Sequence, residues 1–81
     1  MAYHKRKIDK GVLGEFTKVQ EEFVELLDAV EQDDKVLQIC ELTDLIGAIE
    51  CFAEEKFSLS LGDLIKFSNK TKESFKEGTR W

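Results

Sequence analysis

The residues of this sequence best suited to chemistry are carboxylates. Glu21-Glu22-Phe23-Val24-Glu25 is followed, after fifteen intervening residues, by Glu41-Leu42-Thr43-Asp44. Each group offers two acids at i and i+3, which in a helix share one face. On a wet surface such like-charge pairs repel by only about a few tenths of a kcal/mol, but turned toward each other away from water, without a cation, they cost far more. A divalent ion reverses the sign of that interaction. Oxygen ligands with no Cys or His among them suit a hard ion, Mg2+ or Mn2+, better than zinc or copper. Mg2+ keeps waters and takes phosphate oxygens as remaining ligands, so such a centre is suited to metal-assisted attack of water on phosphorus.

A helical wheel places the acids of the first group against its apolar face. At about 100° per residue, with Glu22 at zero, the apolar arc of the first segment runs from about 40° (Leu26) to about 200° (Val24). Glu22 borders that arc, while Glu21, near 260°, and Glu25, at about 300°, both stand outside it. Glu22, Glu25, Glu41 and Asp44 are the expected metal ligands, with Glu21 behind them. Glu41 and Asp44 have apolar neighbours on both sides and are expected to be embedded, where an unpaired ionised carboxylate is expensive. That expected burial carries the metal reading. The plainer alternative is a solvated acidic face on a Glu-rich chain; it suits the first group alone better than it suits both pairs on adjacent antiparallel helices.

Three helices are expected to position these acids. Val12, Phe16, Val19, Phe23, Leu26, Leu27 and Val30 recur at intervals of three and four, the helical period, which predicts a helix over residues 10–31. Glu31-Gln32-Asp33-Asp34 interrupts the pattern, and Asp33 or Asp34 can cap the next helix. From Lys35 to Glu55 the apolar residues go most of the way round the wheel, which marks a central helix contacted on several sides. Ser60, with Asp63 three residues on, opens a third helix, and Gly78 stops it. One domain, residues 1–81, is expected, with residues 1–9 a frayed basic tail around His4-Lys5-Arg6-Lys7. So small a chain could scarcely cover its central helix, so the expected fold is all-α: a three-helix subunit assembling as a four-helix-bundle-type homodimer or homotetramer.

Composition excludes several other classes. Seventeen acidic against twelve basic residues give a net charge of -5, the wrong sign for gripping a nucleic-acid backbone. The absence of proline fits continuous helices. No apolar run approaches a membrane span and no secretory signal is legible, so a cytoplasmic protein with no membrane partner is expected. Cys40 and Cys51 share a helix face but stand about 16 Å apart along it, too far to bridge; both are expected reduced and buried. His4, the only histidine, falls in the tail, which disfavours zinc and Ser-His or Cys-His catalysis.

The pattern EExxE followed by ExxD resembles the signature of the MazG-like all-α nucleotide pyrophosphohydrolases, a superfamily that also includes dimeric dUTPases and phosphoribosyl-ATP pyrophosphohydrolases. Gly14-Glu15-Phe16, Leu45-Ile46-Gly47-Ala48-Ile49-Glu50, and Asp63-Leu64-Ile65-Lys66-Phe67 leading to Gly78-Thr79-Arg80 support the likeness. The resemblance implies Mg2+-dependent hydrolysis of an NTP or dNTP to the monophosphate and pyrophosphate, by dimers or tetramers. It implies Glu22, Glu25, Glu41 and Asp44 as the metal-binding acids, with Glu21, or one of those four such as Glu22 or Glu25, orienting the water. Nothing in the chain is similar to the added helices by which dimeric dUTPases recognise uracil.

Substrate phosphates would also call for cations. Lys66, Asn69, Lys70 and Arg80 are the candidates for substrate binding, Arg80 as a fork and the lysines as point charges. Two other functions compete with the nucleoside triphosphate reading. One is a non-catalytic acidic helical module that forms homo-oligomers; the other is the same chemistry on phosphoribosyl-ATP or on a damaged or alarmone nucleotide.

Overall fold

Helix α1 spans Phe16–Glu31, α2 Lys35–Phe57 and α3 Leu61–Glu77 in a computed structural model that describes residues 4–78, apart from the side chain of Glu77. Among the described residues there is no strand, and the fold is all-α. No helix of these residues is long and apolar enough to cross a membrane.

The first helix starts six residues later than its apolar period suggests. Gly14 takes a φ of 93°, outside the helical region, and the Glu15 N–H turns back to the Val12 carbonyl at 3.0 Å. The Val12 N–H is taken by the Thr17 hydroxyl at 3.0 Å. Val12 and Leu13 therefore belong to a turn that precedes α1. Its far end closes at Gln32 and Asp33, and Asp34 caps α2 by accepting the Leu37 N–H at 3.0 Å. Ser60 and Asp63 form the reciprocal capping box expected for α3, and Gly78 ends that helix with a φ of 71°.

Helices α1 and α2 form an antiparallel hairpin. Phe16, at the start of α1, meets Phe52, near the end of α2, with ring centroids 5.8 Å apart. At the other end the Gln38 amide reaches the Ala29 carbonyl. Helix α3 touches α2 and makes no contact with α1. The radius of gyration is accordingly 14.8 Å, against roughly 12 Å for a compact domain of this length.

The only fully covered apolar side chains among the described residues are Ala29, Ala48 and Ala53. Large apolar residues stay in the open. Phe16, Phe23, Leu27 and Val30 make an exposed row on α1, and Ile39, Leu42 and Ile46 a second on α2. Between them runs an open groove lined by Val19, Phe23, Val24, Leu45 and Ile49. Cys40, expected buried, is exposed; Cys51 is half-buried, and both are free thiols. The expectation that Cys40 lies inside depends on a covering surface that a single chain does not supply.

The segment expected as a frayed tail lies along α1 from His4 onward. His4 Nδ1 and the Lys5 N–H both reach Asp28 Oδ2, at 2.9 and 3.1 Å, and Arg6 pairs with Glu31. Further along, the Gly11 N–H donates to Glu21 Oε1 at 2.7 Å. The physical reason is charge: Glu21, Asp28 and Glu31 present an acidic flank to the basic segment. Gly11 permits the crossing, because a Cβ there would stand 2.3 Å from the Thr17 backbone.

Candidate metal centre

Four acids meet at the α1–α2 seam. One carboxylate oxygen from each of Glu22, Glu25, Glu41 and Asp44 lies within 4.8 Å of the others. The i and i+3 spacing on each helix turns both pairs to the seam, and the antiparallel hairpin sets the pairs opposite each other. These are the four residues expected from the sequence as metal ligands.

Their burial is uneven. Glu22 and Glu41 are buried, at 5% and 6% exposure, and Glu25 is half-buried. Asp44 is exposed, contrary to its expected embedding, because none of the described residues covers the side of α2 on which it stands. It lines an open hollow with Val36, Leu37, Cys40 and Glu41. Charge is costly in this cluster. Burial pushes the Glu22 carboxyl up, and Glu25 beside it adds to the rise; burial also raises Glu25, with Glu41 adding its own repulsion.

Glu22 Oε2 and Glu41 Oε2 are buried and accept no hydrogen bond from any of the described residues. An unsatisfied buried carboxylate oxygen is expensive, and here two such atoms belong to the group of four. An all-oxygen donor set with two idle buried oxygens fits a hard divalent cation. Glu22, Glu25, Glu41 and Asp44 are the residues that could hold it.

Glu21 stands apart. It is buried, and the N-terminal segment covers it. Its Oε1 accepts from Gly11 and from the Lys18 ammonium at 3.2 Å, and Lys10 lies 3.8 Å from Oε2. Burial alone would raise its pKa, but the Gly11 N–H and Lys18 outweigh it and hold the carboxyl below its ordinary value. Lys18 also pairs with Glu22 Oε1 at 3.1 Å, and that bond raises the ammonium's pKa.

The cations proposed for substrate are not at the seam. Lys66, Asn69 and Lys70 are exposed on α3, which contributes no residue to the hollow beside Asp44. Arg80 lies outside the described residues.

Residues that a reading of periodicity misses are Lys18, Asp28 and His4. Asp28 is buried and accepts from His4, Lys5 and the Gln32 amide. Burial opposes ionisation, yet these donors hold the Asp28 carboxyl below its usual range. A signal for it exists: Glu21, Glu25 and Asp28 stand at i, i+4 and i+7, an acidic row beside the apolar one. His4 completes a second triplet of potential ligands with Glu25 and Glu41.

The sequence model of the phosphoribosyl-ATP pyrophosphohydrolase family matches residues 2–50, more than half of the chain. The match covers α1, the first part of α2, and all four clustered acids. No curated protein and no solved structure matches the chain.

Proposed function

The chain belongs to the phosphoribosyl-ATP pyrophosphohydrolase family and is a hydrolase of nucleotide phosphoanhydride bonds; on that premise we propose that it is an Mg2+-dependent nucleoside triphosphate pyrophosphohydrolase. The reaction is (d)NTP plus water to (d)NMP plus pyrophosphate. The observation that carries the metal part is the convergence of Glu22, Glu25, Glu41 and Asp44 with two unpartnered buried oxygens among them.

In this reading the four acids bind Mg2+, or Mn2+ in its place, and the ion supplies charge neutralisation for the substrate's phosphates. The chain's residues do the rest. Water attacks the α-phosphorus, the bond to the bridging oxygen of the β-phosphate breaks, and pyrophosphate leaves with that electron pair. Glu22 and Glu25, in the group of four at the seam, would orient the attacking water and accept its proton. Glu21, tied to Gly11 and Lys18, serves by fixing the N-terminal segment against α1 and holding the attacking water's side of the seam. Lys66, Asn69, Lys70 and Arg80 would meet the phosphates only if assembly or closure brings them across, so they stand as subunit-crossing contacts.

Assembly belongs to the same reading. The exposed rows Phe16, Phe23, Leu27, Val30 and Ile39, Leu42, Ile46 form a contiguous apolar face of the kind that marks an interface. A homodimer or homotetramer in which two hairpins make a four-helix bundle would cover it. The substrate class implies the cytoplasm as the place of action.

Phosphoribosyl-ATP is the second substrate reading, favoured by the description of the matched family. One experiment separates the possibilities: the protein is incubated with Mg2+ and a panel of NTPs, dNTPs and phosphoribosyl-ATP, and pyrophosphate and monophosphate are measured. Pyrophosphate release that disappears in Glu41→Gln is expected. Orthophosphate with a diphosphate product would contradict cleavage between α and β, and no turnover of any member would favour the non-catalytic acidic module.

A further inference from the structure

The expectation of a metal site made only of oxygen rests on a histidine lost in a frayed tail. The structure instead brings His4 to the acids. Its Nδ1 lies 2.9 Å from Asp28 Oδ2, and its Nε2 points the other way, 3.7 Å from Glu41 Oε1. One ligand atom from each of His4, Glu25 and Glu41 falls within 4.8 Å of the others. Atoms sharing one octahedral ion lie from about 2.9 Å apart when adjacent to about 4.2 Å when opposite, so the His4–Glu41 separation is that of two ligands on one centre. Glu41 brings to the same spot its buried, unpartnered Oε2.

The ring's other side is equally defined. Asp28 is ionised and already accepts from the Lys5 N–H and the Gln32 amide, so toward His4 it can only accept. The imidazole therefore donates from Nδ1, which leaves Nε2 as the nitrogen that faces Glu25 and Glu41 and is available to an ion. A carboxylate that takes one ring N–H while the other nitrogen meets a metal is the usual support for a histidine ligand. The ring is held in place by backbone as well, through the Lys5 N–H on the same Asp28 oxygen.

We propose that His4 is a ligand of the metal centre through Nε2, supported by Asp28, so that the site binds through one nitrogen as well as carboxylate oxygens. The proposal rests on the reading that the clustered acids hold a divalent ion. Its consequence is selectivity: an imidazole in the set favours Mn2+ over Mg2+, because imidazole binds transition ions well and Mg2+ poorly. The N-terminal segment then contributes directly to the centre that α1 and α2 build.

The test uses Mn2+ alone as the probe, on the full chain. Pulsed electron paramagnetic resonance of the Mn2+-loaded protein should show nitrogen modulation of the spin echo. His4→Ala should still bind Mn2+ through its carboxylates but lose that modulation, and its preference for Mn2+ over Mg2+, read by calorimetric titration of each ion, should fall. Asp28→Asn should weaken Mn2+ about tenfold or more while leaving Mg2+ less affected. Bound Mn2+ without nitrogen modulation in the unmodified chain, or an unchanged Mn2+ to Mg2+ preference in His4→Ala, overturns the His4 assignment and leaves the carboxylate site standing. No Mn2+ binding at all overturns both.

Discussion

Neutralising Glu22 should strengthen the metal-free protein and at the same time abolish its response to Mg2+. Glu22 Oε2 is buried without a hydrogen bond, and its carboxyl shares a space of 4.8 Å with three other acids. A single carboxylate pair at that distance repels by about 3 kcal/mol at an effective dielectric near 20. Three such neighbours together repel by about 10 kcal/mol; Lys18, 3.1 Å from Glu22 Oε1, offsets about half of this, and the exposure of Asp44 screens another part. A net gain of about 1–2 kcal/mol remains for Glu22→Gln without metal, or about 5–10 °C in Tm for a chain of this length. With a Kd of about 1 mM, Mg2+ at about 10 mM stabilises the unmodified protein by about 1.4 kcal/mol, or about 8 °C. In Glu22→Gln that response should largely vanish. Far-UV circular dichroism melts of both proteins, in chelator and in Mg2+ at one fixed protein concentration, give the four midpoints needed. A variant that melts below the parent in chelator, or that gains as much as the parent from Mg2+, refutes the reasoning.

Three other outcomes follow from the contacts described. Asp28 titrates below its ordinary value, so its contribution is present above that value and lost as pH falls through the depressed one; Asp28→Asn should lower the urea midpoint at neutral pH, with the difference closing in strong acid. Gly11→Ala should detach the N-terminal segment, since its Cβ would meet backbone at 2.3 Å, and faster hydrogen exchange of residues 5–12 with α1 and α2 unchanged is the expected signature. Ile46→Lys, in the exposed row of α2, should shift the protein toward monomer in analytical ultracentrifugation and make its Tm less dependent on concentration; an unchanged sedimentation profile would remove that row from the interface.

The parts of the fold that follow from spacing were legible in advance. The three helices, the Asp34 cap, the Ser60 and Asp63 capping box and the Gly78 stop rest on local rules of residue type and period. Convergence of the four acids was legible for the same reason, because two i, i+3 pairs on antiparallel neighbours leave little freedom. What a wheel cannot see is a segment with no period of its own. Residues 4–11 form neither helix nor strand, their hold on α1 comes from Asp28, Glu21 and Glu31, and so the burial of Glu21 and the approach of His4 were hidden. Nor can a wheel tell which covering surface is absent: Cys40 and Asp44 have apolar neighbours in sequence, yet stand on the uncovered side of α2.

The seam between α1 and α2 is closed by Ala29 and Ala48, at 0% and 2% exposure, and these methyl groups act as a gauge. Helix axes pack about 8–10 Å apart according to the bulk of the side chains between them, and alanine sets the near end of that range. Carboxylates on short stems can then reach a common point from two backbones. A leucine at Ala48 would add apolar surface and still push the helices apart, separating one pair of acids from the other. The smallest side chains of the hairpin thus fix the reach of its most highly charged ones.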